Sequence, residues 1–205
     1  MLKLIKNNEN AVVVLHEIYG INEHIKGVCA EYHDRGFDVY CLPLFEYGTP
    51  FKYEQQDQAY KNFVSTCGFD ATKINLLLGE IRGRYKKIIM IGFSVGATIA
   101  WLSAESNLCD GIVCYYGSRI RDYTDIMPQC PVLVIIAQFE KSFDPSVLQK
   151  NWLKGQLLRV MYSIVIMVLV TPIGGSLDIE NYCTLRPFLY FQAVLRAIDH
   201  VDRQL

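Results

Sequence analysis

A serine set between two glycines, Gly92-Phe93-Ser94-Val95-Gly96, is the stretch of this chain best suited to covalent chemistry. The apolar run Ile88 to Ile91 precedes it, and Ala97 to Ala104 reads as the start of a helix. G-x-S-x-G between a strand and a helix is the pattern of a nucleophile elbow. Glycines on both sides allow a turn so tight that a side chain would collide with neighbouring backbone. Such a turn lifts the serine hydroxyl clear of the sheet. Backbone N–H groups at the new helix start then face any negative charge that develops on a reacting carbonyl oxygen. The chemistry this permits is acyl transfer through the Ser94 hydroxyl. The plain alternative is a structural serine in a glycine-rich turn.

The bulk properties narrow the setting for that chemistry. The chain has 205 residues, enough for one domain with a substantial core, and we read residues 1–205 as a single domain. Twenty basic and 21 acidic residues leave a net charge of −1, so neither nucleic acid nor an anionic membrane surface is expected as a partner. The first residues lack the long apolar region and small-residue cleavage site of a signal peptide. Seven cysteines are scattered without a C-x-x-C pair, as expected of buried free thiols in a reducing compartment, and the expected location is cytoplasmic. Val160 to Val170 is almost wholly apolar but is too short for a helix across a bilayer, which needs about 20 residues. It reads as a buried strand within a run from 158 to 170.

Strand and helix patterns alternate along the chain. Ala11 to Leu15 is continuously apolar and β-branched, as in a buried parallel strand. Residues 21–36 read as a helix with Ile25, Val28, Cys29 and Tyr32 inward and Gly36 as its stop. Strands are expected at 37–42, 88–92, 111–116 and 131–137, and helices near 53–66, 70–85, 95–105, 145–154 and 187–204. Residues 43–53 read as a loop. This alternation predicts an α/β fold, a mostly parallel sheet with helices on both faces.

Several spaced motifs resemble the dienelactone hydrolase family of α/β-hydrolases. His16-Glu17-Ile18-Tyr19-Gly20 after the first buried strand looks like that family's Q/H-E-I-F/Y-G. Arg35-Gly36-Phe37 before Val39 to Phe45 is similar to its G-Y-x-V-x-x-P-D-L-F/Y. Gly92 to Ala97 stands where the family has G-x-C-x-G-G, Tyr115-Tyr116-Gly117 matches its Y-Y-G, and Leu177-Asp178 resembles the end of its H-G-F-x-D. The resemblance implies hydrolysis of a small-molecule ester or lactone; the sequence carries no metal cluster, phosphate loop or nucleotide fingerprint, so neither a cofactor nor a metal is expected. Ser94 would be the nucleophile, where many members carry Cys, and Glu17 would be the glutamate that tunes it. The backbone N–H groups of Val95 and Ile18 would form the oxyanion hole. A carboxylate capping the next helix is the alternative role for Glu17. His16 reads as a packed, hydrogen-bonded histidine rather than a base. Tyr47, Tyr53, Tyr60, Tyr115 and Tyr116 are candidate pocket residues.

Chain order in such folds is nucleophile, acid, histidine. Counting from the strand at 131–137 puts Glu140 at the acid position, with Asp144 before Pro145 as runner-up or helix N-cap. The family's histidine position is occupied by Gly174. His24 and His33 fall on the first helix as solvated or partly packed residues, and His200 in the closing helix is a weak candidate base. The apolar segment from 157 to 176 reads as diverged or altered. A second expectation follows from Gly174: a family member that keeps the pocket without the full triad and serves as a small-molecule binding or interaction protein.

Overall fold

The computed structural model describes residues 1–46, 49–137 and 144, and the backbone strand at 165–170. Among the described residues seven strands run β1 (Leu2–Leu4), β2 (Asn10–Leu15), β3 (Asp38–Cys41), β4 (Lys87–Phe93), β5 (Gly111–Tyr115), β6 (Val132–Ala137) and β7 (Val165–Val170). They form one sheet in the order β1-β3-β2-β4-β5-β6-β7. β1 pairs antiparallel with β3, and every other neighbouring pair is parallel. The α-helices among the described residues are α1 (Glu23–Asp34), α2 (Gln56–Thr66), α3 (Thr72–Ile81) and α4 (Val95–Leu102).

Alternate side chains along the strands feed two separate cores, because successive strand residues point to opposite faces. On one face Val12, Val14, Ile89, Ile91 and Val113 pack with Ile25, Val28, Cys29 and Tyr32 of α1. On the other face Ala11, Val13, Leu15, Ile88 and Met90 pack with Phe63 of α2, Leu78 of α3 and Trp101 of α4. Strands that are apolar on both faces read as continuous runs, and that is how β2 and β4 stand in the sequence.

Boundaries differ from expectation for local reasons. α1 starts at Glu23 rather than 21 because extended Asn22 caps it, its Oδ1 accepting the Ile25 N–H at 3.0 Å. α3 gives way at Arg82–Arg84 to a 3₁₀ turn whose Arg82 guanidinium reaches Asp110 and the carbonyls of Tyr85 and Lys86. β1 went unforeseen: three residues carry too little periodicity to mark a strand. Of the strand expected at 158–170, residues 165–170 form β7. The remainder of that run and the helices expected at 145–154 and 187–204 lie outside the described residues. The six described cysteines are free, five buried and Cys67 half-buried. Among the described residues no helix is long and apolar enough to cross a membrane.

Candidate active site

β2 lies between β3 and β4, so the chain reverses its direction of travel across the sheet on leaving β3. Ligands of open α/β sheets sit at such a reversal, outside the carboxyl ends of the strands. Leu15 pairs with Gly92 and Phe93 with Tyr115. Glu17, Ser94 and Tyr116 therefore emerge from three neighbouring strand ends at one level.

Ser94 is the junction between β4 and α4, with φ 54° and ψ −115°. A non-glycine residue at positive φ is strained, and such strain persists only where the surroundings enforce it. The Ser94 N–H donates to the Tyr115 carbonyl at 2.9 Å, and its own carbonyl accepts from Ala97 N–H at 3.1 Å and Thr98 N–H at 3.3 Å. The flanking glycines are required by contact rather than by dihedral angle. A Cβ on Gly92 would lie 2.4 Å from the Gly96 carbonyl oxygen, and one on Gly96 would lie 2.5 Å from the carbonyl oxygens of both Leu15 and His16. The first turn of α4 thus rests directly on the end of β2. That contact brings residues 94–95 beside residues 16–18.

A cavity of about 280 Å³ opens there. Ser94, Val95 and Thr98 line it from the elbow, Ile18 from the end of β2, and Gln56 and Tyr60 from α2. Phe69 and the 3₁₀ turn after β5, with Ser118, Arg119 and Arg121, complete the lining. Arg119 pairs with Asp122 at 3.1 Å, and Arg121 lies 3.7 Å from the same carboxylate. Both guanidinium groups thus stand against the one Asp122 carboxylate on this wall.

Glu17 is 1% exposed and is not among the residues lining the cavity. Its Oε1 accepts the Tyr116 hydroxyl at 2.6 Å, while Oε2 is buried without a hydrogen-bond partner. Since β4 lies between β2 and β5, this bond reaches across the strand end that carries Ser94. Burial pushes the Glu17 carboxyl above its ordinary pKa, and the Tyr116 hydrogen bond only partly offsets this. Asn22 caps α1, which removes the helix-capping alternative for Glu17. A carboxyl whose pKa is raised on folding opposes stability increasingly as pH rises above its unfolded value of 4.5. Glu17→Gln, which keeps an acceptor for Tyr116, is therefore expected to raise the melting temperature at pH 8. The gain should shrink toward zero below pH 4.5, as thermal unfolding of both proteins across pH would show.

His16 is buried and makes two hydrogen bonds, as expected of a packed histidine. Burial lowers its pKa to about 4. His24 lies edge-on to Phe93 at 5.4 Å, and His33 places Nδ1 3.3 Å from the Phe37 carbonyl oxygen. Of the tyrosines expected at a pocket, Tyr60 lines this cavity. Tyr115 is stacked on Phe93 in the core, Tyr53 packs against Tyr19, and Tyr116 holds Glu17. Tyr47, Glu140, Gly174 and His200 lie outside the described residues, and Asp144 is exposed. Thr98, Arg119 and Arg121 were missed. Thr98 follows Ser94 by one helical turn, a spacing that would have found it. The arginines follow Tyr115-Tyr116-Gly117, where only the return of the chain over the elbow gives them meaning. Among the described residues no group of three or more His, Cys, Asp or Glu side chains is placed to hold a metal ion.

Residues 2–154 match the model of the dienelactone hydrolase family. The chain belongs to that family. An uncharacterized protein YczH of Bacillus subtilis (strain 168) is 39% identical over 142 residues, covering 68% of this chain and 69% of that one. A putative carboxymethylenebutenolidase of Yersinia pestis is 29% identical over 132 residues, 61% of this chain and 49% of that one, so the likeness spans about half of that relative. A crystal structure of a putative dienelactone hydrolase from Klebsiella pneumoniae superposes with a TM-score of 0.66 at 17% identity, covering 98% of this chain and 90% of the other. An α/β serine hydrolase without a lid from Xanthomonas campestris gives 0.53 at 14% identity, covering 96% and 82%. These structures share the α/β-hydrolase fold. The apolar segment that begins at 157 falls beyond the residues matched by the family model.

Proposed function

We propose that this protein hydrolyses a small-molecule ester or lactone through an acyl intermediate on Ser94. The reading is carried by one observation: Ser94 is held in a strained strand-to-helix elbow on the wall of a cavity that Ile18 and Val95 also line. Ser94 Oγ attacks the carbonyl carbon, and its proton passes to a base. The carbonyl oxygen takes the negative charge, facing the N–H of Val95 at the start of α4 and the N–H of Ile18. The base returns that proton to the leaving oxygen, so the alcohol portion departs neutral. Water, giving a proton to the same base, then attacks the acyl carbon, and the base reprotonates Ser94 Oγ as the acid is released. Glu17, made more basic by its burial, tunes the nucleophile, and Glu140 after β6 is the proposed acid. The site needs neither a cofactor nor a metal for this sequence of steps, and we place the protein in the cytoplasm.

Gly174, standing where the family carries histidine, favours one competing reading: a family member that binds such a molecule without turning it over. Hydrolysis of a short-chain aryl ester by the wild type and by Ser94→Ala separates the two. The expected result is a measurable wild-type rate that Ser94→Ala loses by on the order of 10³-fold or more. Equal, near-background rates in both would leave the binding reading.

The Arg119 guanidinium in the cavity wall suits a substrate that carries a carboxylate. Arg119→Ala is expected to raise KM for a carboxylate-bearing aryl ester roughly tenfold, about 1.4 kcal/mol, and to leave KM for a neutral ester of the same size unchanged. An equal effect on both esters would remove charge recognition by this residue.

A further inference from the structure

His16 is fully buried at the end of β2, and both of its ring nitrogens are engaged. Nε2 lies 3.0 Å from the Leu44 backbone N–H, which can only donate, so Nε2 is the acceptor. The ring proton must therefore sit on Nδ1, which donates to the Glu17 carbonyl oxygen at 2.6 Å. One tautomer satisfies both contacts, and it is assigned by its partners. The same carbonyl also accepts the Gly20 N–H at 3.3 Å.

That carbonyl belongs to the peptide unit whose other end is the Ile18 N–H. The unit is planar and trans, so the two groups point in opposite directions. Holding the carbonyl on the imidazole turns the Ile18 N–H away from His16. Ile18 itself lines the cavity beside Ser94. The preceding carbonyl, that of His16, is pressed against Gly96 at the start of α4, so this stretch is fixed on both sides of the residue.

We propose that His16 is a positioning residue: as the Nδ1–H tautomer bridging Leu44 and Glu17, it sets the plane of the Glu17–Ile18 peptide and so aims the Ile18 N–H at the acyl oxygen. The inference rests on the ester-hydrolase reading, and it gives a buried histidine a part in the chemistry without proton transfer to substrate. Burial, which keeps the ring neutral down to about pH 4, is consistent with that part.

The test compares wild type, His16→Gln and His16→Leu on a neutral short-chain aryl ester. A glutamine amide supplies a donor group and an acceptor group, as the neutral imidazole does, whereas leucine supplies neither. Misplacing one oxyanion donor should act on the transition state rather than on substrate binding. His16→Leu is expected to lower kcat about 10²-fold with KM within roughly threefold of wild type, and His16→Gln to recover most of the rate. ¹⁵N NMR of the wild-type imidazole is expected to show a protonated Nδ1 and an unprotonated Nε2.

The opposite tautomer would overturn the proposal whatever the activities. So would a folded His16→Leu protein that keeps its kcat, or one whose loss lies in KM alone. If His16→Leu does not fold, the decision passes to His16→Gln, in which a kcat reduced as far as about 10²-fold in a folded protein overturns the proposal. An active wild type beside any of these results leaves the ester-hydrolase reading standing. An inactive wild type removes that reading and this role of His16 with it.

Discussion

Ser94→Gly is expected to yield a protein that is inactive and more stable than either wild type or Ser94→Ala. The hydroxyl accounts for the lost activity, and the backbone accounts for the gain. At φ 54° and ψ −115° the Cβ of residue 94 is held where side chains other than glycine's seldom stand. Strain of this kind costs of order 1–3 kcal/mol. Glycine relieves it, although greater freedom in the unfolded chain takes back about 0.5–1 kcal/mol. The net expectation is a gain of about 1 kcal/mol, or roughly 2–4 °C in Tm for a chain of this size. Ser94→Ala keeps the Cβ and should melt with wild type. Thermal unfolding of the three proteins checks this, and a glycine variant no more stable than the alanine one would remove strain from the account of the elbow.

Gly96→Ala should do the opposite and damage stability and activity together. Its new Cβ would stand 2.5 Å from two carbonyl oxygens and 2.7 Å from the Leu15 carbonyl carbon. These are backbone atoms in and just beyond a central strand, so no single side chain can swing aside. α4 would have to lift by roughly an ångström from the end of β2, opening the contact that sets residues 94–95 beside 16–18. A loss of about 3 kcal/mol is expected, near the upper end for overpacking. Gly27→Ala on α1 is the matched control. Its Cβ would meet nothing within 4 Å, and the residue is exposed, so helix propensity alone predicts a gain of about 0.5–1 kcal/mol. Denaturant unfolding of both variants should therefore give shifts of opposite sign. A Gly96→Ala protein as stable as wild type would show that the elbow can relax.

Much of the sheet was legible because its central strands are apolar on both faces and end at glycine, proline or a motif. β2, β4 and β5 were placed within a residue or so by that signal, and the elbow followed from its glycines. Residues joined only by topology stayed hidden. Tyr116 reaches Glu17 across 99 positions, and His16 finds Leu44 across 28; no local pattern announces either pair. Arg119 and Arg121 carry no local signal of a site either, because only the fold brings the turn after β5 to the cavity that Ser94 lines. The two roles weighed for Glu17 also needed the structure, since only the position of Asn22 assigns the cap. His16 was recognised as packed, but the direction of the peptide it holds is a three-dimensional fact.

The short antiparallel β1 has a consequence for how this molecule behaves among copies of itself. Without it, β3 would end the sheet and present a row of open amides, a template on which another chain can add a strand. β1 occupies those positions from Leu2 opposite Cys41 to Leu4 opposite Val39. Beyond them the buried Asp38 carboxylate takes the N–H groups of Lys6 and Asn8 at 2.9 and 3.1 Å. The chain thus turns away from the sheet after three paired residues, with its next donors already claimed from within. A strand so brief offers a visiting chain little to zip along, so this border of the sheet guards against fibre-like growth.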